Sequence, residues 1–280
     1  MLAYQHAFHA GNHADVFKHT LLCLLLRHLN LKDTPYRVVD SHAGAGLYSL
    51  HSAQAAKTGE FEHGIGRLWL RDDLPAPVAD YLQQVRALNP DGALRLYPGS
   101  PWLARRLMRD GDQLRLFELH PGECAALRAS IGAAGGVAIS HADGFAAAKS
   151  QWPPPSRRSL LLVDPSYEGS GDYGRVVDML RDGLRRFAQG MAMVWYPVVA
   201  KPGAAQMVQA LRRVAPQSWL HARLSVQPPD AQGFGLIGSG VFVINPPHTL
   251  HATLRTLLPW LLAALRQHDG AAQLLEQHAV

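Results

Sequence analysis

An apolar run is followed directly by an acid, a proline and, two residues later, an aromatic residue. Residues 160–163 (LLLV) are followed by Asp164, Pro165, Ser166 and Tyr167. A carboxylate there can hold the N–H groups of an exocyclic amine and localise its lone pair for attack on a sulfonium methyl group. A nearby ring can stack on a flipped-out base, a contact that contributes roughly 1–3 kcal/mol. The segment predicts methyl transfer to a base amine by Asp164 and Tyr167, against the alternative of an ordinary Asp-Pro turn.

A glycine-containing turn follows an earlier β-branched run. Residues 40–46 (DSHAGAG) place Gly44 and Gly46 where a ligand can approach the backbone closely. A dinucleotide fingerprint would need a third glycine, and Leu50 stands near that position instead. The turn is therefore a weak signal by itself, and a plain strand-to-helix turn explains it as well.

Two further acids follow apolar segments. Glu118 can accept both hydrogen bonds of a ribose diol, although a salt bridge with Arg115 or Arg128 is the alternative. Asp143, before Gly144, can accept from an adenine amino group, or it can cap an ordinary turn. Ligands of open parallel sheets bind beyond the carboxyl ends of the strands. Together these turns predict a site for a cofactor that contains adenosine.

The first twenty residues are rich in histidine. Histidines stand at positions 6, 9, 13 and 19. Their spacing matches no standard zinc motif and neither cysteine joins them, so we expect no metal. Lys18 and His19 can instead face the carboxylate of a cofactor, and Tyr4 can reach a nucleic acid. The alternative is an amphipathic helix that turns its polar residues outward.

The intervening segments predict strands that alternate with helices. Apolar or β-branched runs favour strands at 36–40, 114–119, 137–140, 159–163 and 191–196, with later candidates at 219–226 and 240–244. Apolar spacing favours helices at 14–31, 102–108, 122–130, 174–188 and 204–214. Parallel strands need such crossovers, so we predict a doubly wound α/β domain formed by residues 1–46 and 97–280. Residues 47–96 show no convincing strand and are interpreted as a small inserted helical subdomain.

Composition narrows the class of protein. The 280 residues are 48% hydrophobic and 18% charged, as in globular chains. Cys23 and Cys124 are too few for a disulfide framework, and no apolar run reaches the ~20 residues of a membrane span. We therefore expect a cytoplasmic protein with reduced thiols and no membrane partner. A monomer is a separate expectation that the composition does not establish. The formal charge is +5, and 22 of the 27 basic residues are Arg, which suits phosphate contacts but also a GC-rich genome.

A nucleic-acid substrate would require a basic face. We expect several arginines to form one around Asp164, drawn from Arg105, Arg106, Arg109, Arg157, Arg158, Arg181, Arg185, Arg186, Arg212 and Arg213. Near the end of the chain, residues 245–248 (NPPH) are interpreted as a turn into a C-terminal helix rather than a second catalytic loop. Residues 266–280 are interpreted as a loosely attached tail.

Several motifs together resemble one protein family nearly from end to end. They are residues 8–19 (FHAGNHADVFKH), 40–46 (DSHAGAG), 97–101 (YPGSP), 118–121 (ELHP), 141–145 (HADGF) and 195–198 (WYPV). These blocks closely resemble the RlmJ family of bacterial 23S ribosomal RNA adenine-N6 methyltransferases. The resemblance implies a Rossmann-like class I methyltransferase sheet with a small helical insertion. It also implies S-adenosylmethionine as cofactor and 23S ribosomal RNA as partner.

The resemblance also implies roles for individual residues. It places cofactor contacts at His19, His42, Ser100, Glu118, Asp143, Gly144 and Asp164, and with them we group Lys18 and Gly44. The resemblance also implies that Asp164 binds the target amine and that Tyr4 contacts the RNA. Tyr167 is expected to stack on the target base.

One position departs from the family pattern. The family's catalytic loop is similar to D-P-P-Y, and Ser166 stands here in place of the second proline. Serine frees a backbone N–H and loosens the turn, so the departure leaves loop preorganisation open. The alternatives are a DNA adenine-N6 methyltransferase of the same fold, an RNA-binding homologue without catalysis and, more remotely, a dehydrogenase.

Overall fold

The computed structural model describes residues 4–133, 135–169, 171–200, 202–215, 217–228 and 235–279. Its helices are α1 (His13–Leu29), α2 (Ala53–Thr58), α3 (Ala76–Ala87), α4 (Ser100–Leu107), α5 (Pro121–Ile131), α6 (Gly144–Gln151), α7 (Asp172–Arg186), α8 (Gly203–Val214) and α9 (Leu250–Leu265). Its strands are β1 (Arg37–Asp40), β2 (Leu47–Ser49), β3 (Leu96–Pro98), β4 (Gln113–Glu118), β5 (Val137–His141), β6 (Ser159–Val163), β7 (Met191–Val198), β8 (Ser218–Ser225), β9 (Gly238–Ile244) and β10 (Ala272–Ala279).

The main sheet has the order β10-β8-β9-β7-β6-β1-β4-β5. Strands β5, β4, β1, β6 and β7 are parallel, and β9 runs antiparallel between β7 and β8. The chain leaves β1 toward β4 and β5 and then returns to β6 on the other side of β1. This reversal is the switch point at which doubly wound sheets bind ligands. The predicted α/β, Rossmann-like class is confirmed.

Strand β6 shows how the core is built. All five of its residues are buried, because the strand lies between β1 and β7 with helices on both faces. Leu160 and Leu162 pack in the cluster beneath α1, α4 and α9, whereas Leu161 and Val163 pack in the cluster beneath α6, α7 and α8. A strand buried on both faces is a continuous apolar run, and its end at Val163 fixes where Asp164 emerges.

Helix α1 begins at a capped end and is buried along most of its length. The Asn12 side chain accepts hydrogen bonds from the N–H groups of Ala14 and Asp15. The helix packs against α3, α4 and α9 as well as against β7 and β9. Burial on several sides encloses its polar residues too, Lys18 and His19 among them. The outward-facing alternative is therefore wrong for these two side chains.

The segment between β1 and β4 contains more strand than predicted. Strands β2 and β3 pair antiparallel in a small second sheet, so the two ends of the inserted segment are held together. Between them lie α2, two short 3-10 turns and α3. Side chains of this segment, such as Ile65 and Tyr81, belong to the same apolar cluster as the main sheet. The boundaries 1–46, 47–96 and 97–280 stay a prediction.

The end of the chain corrects another prediction. Residues expected to form a loose tail form β10, which pairs antiparallel with β8 over eight residues, Ala272 to Ala279. Glu276 anchors the strand through an ion pair with Arg212 and a contact of 3.1 Å to His221 Nδ1. This edge strand is exposed along much of its length, so its sequence lacks the continuous apolar run that marks a buried strand.

The arginines do not form the predicted face around Asp164. Arg157 and Arg158 precede β6 whereas Asp164 follows it, so they lie at opposite ends of that strand. The other pairs, including Arg185 and Arg186, stand in the last turns of α4, α7 and α8. Helices of α/β crossovers run back toward the amino ends of the strands. The arginines therefore gather at the sheet edge opposite Asp164.

Several of these arginines bind carbonyl groups of helix ends. Arg158 donates to the carbonyl of Leu29, the last residue of α1, at 2.7 Å, and also to that of Thr34 in the loop that follows. Arg186 donates to the carbonyl of Trp152 at 2.6 Å. The last carbonyls of a helix lack partners within the helix, so these guanidinium groups stabilise the fold. No helix in the described ranges is both long and apolar enough to cross a membrane.

Candidate active site

Strand register brings the predicted acids to one edge of the sheet. Asp40, the last residue of β1, is level with Leu116 of β4 and Leu162 of β6. Glu118 and Asp164 therefore each lie two residues beyond Asp40, on opposite sides of the loop that follows β1. Three chain segments distant in sequence thus meet at the switch point.

Two adjoining cavities open at this edge. The first, the Glu118 cavity of about 150 Å³, is lined by predicted residues, namely Tyr4, Lys18, His19, His42, Gly44, Ser100, Glu118, Asp143, Gly144 and Asp164. The second, the Tyr167 cavity of about 840 Å³, is lined by Tyr167. Tyr4, Lys18 and Asp164 line both cavities. The structure thus brings all the predicted site residues together, and Asp164 stands where the two spaces meet.

Lys18 joins Asp164 to a second, buried carboxylate. Its Nζ lies 2.6 Å from Asp164 Oδ2 and 3.0 Å from Asp15 Oδ1. Burial lowers the pKa of Lys18, but Asp15 and Asp164 outweigh burial and raise it above its ordinary value. Lys18 is therefore a permanent cation that orients Asp164. Asp15 was not selected from the sequence, because its role depends on Lys18 and the buried position of α1, which the local pattern does not reveal.

Asp40 is buried behind the site and holds Ser100 in place. It is 1% exposed, accepts a hydrogen bond of 2.7 Å from Ser100 Oγ and accepts another from the N–H of His42. Burial raises its pKa from 3.8 to about 7, assisted by Asp164, against the hydrogen bond from Ser100. The predicted cofactor residue Ser100 is thus fixed by a carboxyl group that can hold a proton near neutral pH.

The raised pKa of Asp40 predicts a pH-dependent stability. Between about pH 4 and 7 the folded protein keeps a proton that the unfolded chain releases, so this group lowers stability as pH rises, by roughly 1.4 kcal/mol per pH unit. Replacing Asp40 with Asn removes the titration. We expect the Tm of Asp40→Asn minus that of the wild type to become more positive from pH 5 to pH 8. Asp178→Asn, at an exposed position on α7, is the control, and parallel pH profiles for Asp40→Asn and wild type would contradict the assignment.

Both oxygens of Glu118 are fixed by backbone groups. The N–H of Gly44 donates to Oε2 at 2.8 Å and the N–H of His120 donates to Oε1 at 2.7 Å. The alternative salt bridges with Arg115 and Arg128 do not form, since both arginines donate to carbonyl groups instead. Glu118 is therefore an oriented carboxylate that faces the first cavity.

Asp143 and Gly144 begin α6 at the wall of the same cavity. Asp143 Oδ1 accepts from the N–H of Phe145 at 2.9 Å, while Oδ2 pairs with Arg175. A Cβ at Gly144 would stand 1.6 Å from the carbonyl oxygen of Ser41, so only glycine allows this approach. Arg175, whose guanidinium lies 4.2 Å from the centroid of the Phe145 ring, was missed because α7 brings it there from a distant part of the chain.

The two predicted cofactor histidines are neutral. Burial lowers the pKa of His19 to about 3 and that of His42 to about 4. His19 Nδ1 lies 2.8 Å from the hydroxyl of Tyr97, and His42 Nδ1 lies 2.8 Å from Ser41 Oγ. Both uncharged side chains line the Glu118 cavity.

The N-terminal histidines form hydrogen bonds with different partners. His6 Nε2 lies 2.9 Å from Asp15 Oδ2 and its Nδ1 lies 2.8 Å from the hydroxyl of Tyr4. His9 pairs with Glu60 of the inserted segment at 2.9 Å. Within the described ranges, the structure has no group of three or more His, Cys, Asp or Glu able to hold a metal. Cys23 and Cys124 are both buried and free.

Tyr167 is held on two sides within the second cavity. Its hydroxyl donates to the carbonyl of Trp195 at 2.6 Å, and its ring stacks on Tyr173 with centroids 4.6 Å apart. Its φ of 55° is unusual for a bulky residue. By contrast, Asn245 binds the carbonyls of Ala188 and Gly190 at the end of β9, far from Asp164, as expected for a turn.

Comparisons with known proteins assign the family. The sequence model of the family described as "Ribosomal RNA large subunit methyltransferase D, RlmJ" matches residues 33–276. The chain belongs to the RlmJ family. Proteins named "Ribosomal RNA large subunit methyltransferase J" from Escherichia coli and Haemophilus influenzae are 44% and 42% identical, each over 95% of this chain and 94% of the relative. The crystal structure of LPL1258 from Legionella pneumophila aligns with a TM-score of 0.88 and 32% identity, covering 96% of this chain and 98% of that one.

Membership of the RlmJ family confirms the resemblance, the enzyme class and the cofactor. RlmJ proteins are ribosomal RNA methyltransferases that use S-adenosylmethionine, and this chain is an enzyme of that class. The dehydrogenase alternative is therefore wrong.

Proposed function

We propose that this RlmJ-family enzyme transfers the methyl group of S-adenosylmethionine to N6 of an adenine in 23S ribosomal RNA. The supporting observation is the position of Asp164, which lines both the Glu118 cavity and the Tyr167 cavity. A methyl donor in the first cavity and a base in the second would meet at this carboxylate. The predicted site residues enter this proposal in the roles that follow.

The residues of the Glu118 cavity fit the cofactor. An oriented carboxylate at Glu118 suits a ribose diol, and the Asp143 carboxylate at the start of α6 suits an adenine amino group. Gly44 has a φ of 61°, and a Cβ there would lie 2.4 Å from the hydroxyl of Tyr48, so the turn leaves room only for backbone. S-adenosylmethionine supplies the electrophilic methyl group. Ser100, His19 and His42 complete the polar lining.

Asp164 is the group that acts on the target amine. Lys18 occupies Oδ2, and among the described residues Oδ1 accepts no hydrogen bond, which leaves it free for an N–H of the base. Accepting that hydrogen bond localises the lone pair of the amine on nitrogen. Because Lys18 fixes the carboxylate before the substrate arrives, the reaction depends mainly on positioning.

Tyr167 and Tyr4 are proposed to contact the RNA base. Tyr167 is rigid because Tyr173 and the carbonyl of Trp195 hold it, so stacking on it would cost little conformational entropy. Tyr4, which stacks on His9, lines both cavities and lies where it can cover a bound base.

A substrate comparison tests the proposed function. Purified enzyme and labelled S-adenosylmethionine are offered protein-free 23S rRNA from a strain lacking this gene, or duplex DNA containing adenine. We expect one N6-methyladenine in the rRNA, found by nuclease digestion and mass spectrometry. Methylation of DNA alone would support the DNA methyltransferase alternative. The monomeric state and cytoplasmic location stay predictions, and gel filtration tests the first.

Ser166 is expected to be a tolerated departure from the family loop. Among the described residues its N–H donates no hydrogen bond, so proline at this position would remove none. We expect Ser166→Pro to leave kcat within about tenfold, or ~1.4 kcal/mol of barrier. Steady-state methylation of 23S rRNA provides the measurement. A thousandfold loss would show that this loop needs a backbone geometry that proline forbids.

A further inference from the structure

The two cavities at the active site carry an excess of acidic side chains. Lys18 and Arg175 are the cations in their described lining, and each is paired with a carboxylate. The acids that line them are Asp15, Glu60, Glu118, Glu123, Asp143, Asp164, Glu168 and Asp172. Such a surface repels phosphates, whereas RNA binding draws much of its affinity from phosphates neutralised by Lys and Arg. Contacts with the phosphates of ribosomal RNA are therefore expected elsewhere on the protein.

Four arginines at the opposite sheet edge bind groups inside the protein. Arg109 binds Asp112, Arg212 pairs with Glu276, and Arg158 and Arg186 hold backbone carbonyls. These side chains already direct their hydrogen-bond donors to groups inside the protein. They are poorly placed to bind a polyanion.

A groove between α7 and α8 contains arginines that are not bound in this way by any described residue. It has a volume of about 500 Å³ and is lined by the exposed residues Arg181, Arg185 and Arg213, with no acidic side chain among the described residues of its wall. Arg185 and Arg213 have no ion-pair partner in the described part of the chain, while Arg181 pairs with Asp178. A second groove, near Arg105 and Arg106, is also lined by Asp110 and Asp112. Charge complementarity to RNA therefore favours the α7–α8 groove.

The groove lies within reach of an RNA that occupies the active site. Helix α7 begins at Asp172, which lines the Glu118 cavity, and Arg185 follows thirteen residues later in its last turn. A helical rise of 1.5 Å per residue makes this distance about 20 Å. A folded ribosomal RNA domain spans more than that.

We propose that the α7–α8 groove binds the sugar–phosphate backbone of the ribosomal RNA substrate away from the methylated base. Arg185 and Arg213 are the principal phosphate ligands. The proposal rests on the proposed function, because it names where the same substrate gains its affinity. In this proposal, two arginines outside the active site contribute to RNA binding and take no part in methyl transfer.

The double variant R185Q/R213Q tests the groove. Binding of protein-free 23S rRNA is measured by filter retention over a series of KCl concentrations, and methylation is measured under steady state. We expect weaker binding and a salt-dependence slope smaller by about 0.7–0.9 for each phosphate that the variant no longer neutralises. KM for the rRNA should rise, while kcat at saturating RNA and the affinity for S-adenosylmethionine stay unchanged. R185K/R213K should restore the slope, because lysine keeps the charge.

A matched variant controls for net charge. R105Q/R106Q removes two exposed arginines from the last turn of α4, in the groove that contains acids. We expect it to change the salt slope less than R185Q/R213Q does. Equal effects of the two double variants, or a wild-type slope and KM in R185Q/R213Q, would overturn the proposal. A failure of the proposed function is distinguishable, since the wild-type enzyme would then leave 23S rRNA unmethylated.

Discussion

Replacing Asp164 with alanine is expected to abolish nearly all methyl transfer while the protein stays folded. The carboxylate holds the target amine, and removing one preorganised polar group of this kind typically costs 10²–10³-fold in rate. Because this group also lies where the two cavities meet, we expect kcat to fall by about a thousandfold or more, roughly 4 kcal/mol of barrier. The measurement is single-turnover methylation of 23S rRNA at saturating S-adenosylmethionine.

The surroundings of Asp164 explain why the fold should survive. Lys18 keeps Asp15 as a partner at 3.0 Å, so the variant does not bury an unpaired cation. We expect the Tm to change little and S-adenosylmethionine binding to persist in calorimetry. Asp33→Ala, which removes an exposed acid from the loop before β1, away from both cavities, is the control and should keep its turnover. Substantial turnover by Asp164→Ala would remove Asp164 from the catalytic role.

The central strands were predictable because local signals coincide with burial. The run at 159–163 is β6 with the same boundaries, since a strand covered on both faces must be apolar throughout. The missed strands are short or lie at an edge. Leu47–Ser49 and Leu96–Pro98 make three residues each, and Ala272–Ala279 is exposed along much of its length. Their pairing depends on partners distant in sequence, which local patterns do not reveal.

Those residues of the candidate site that directly follow a strand could be predicted from the sequence. Acids that follow parallel strands converge whatever their spacing in the chain, so Glu118, Asp143 and Asp164 could be selected together. The side chains that orient these acids could not be predicted from the sequence. Asp15 reaches Lys18 within a buried helix, and Arg175 reaches Asp143 from α7. The arginine prediction was wrong because it used neighbourhood in sequence, whereas the direction of each helix sends its last turn to the far edge.

Gly144→Ala is expected to disrupt cofactor binding more than any other single-methyl change at the site. A Cβ at this position would stand 1.6 Å from the carbonyl oxygen of Ser41, so the start of α6 must move away from the loop after β1. Overpacking of this kind costs about 1–3 kcal/mol of stability. The shift also displaces Asp143, and a lost hydrogen bond to a charged group costs about 1.5–3 kcal/mol, or roughly ten- to hundredfold in affinity. We expect the Kd for S-adenosylmethionine, measured by calorimetry, to rise by about that factor.

The same substitution at Gly174 separates this effect from a general effect of adding a methyl group. Gly174 lies in the first turns of α7, and a Cβ there meets no atom within 4 Å. Alanine favours the helix by roughly 1 kcal/mol relative to glycine, so Gly174→Ala should raise the Tm slightly and leave cofactor binding unchanged. If Gly144→Ala instead binds S-adenosylmethionine as tightly as Gly174→Ala does, the close contact between α6 and Ser41 is not what shapes the cofactor site.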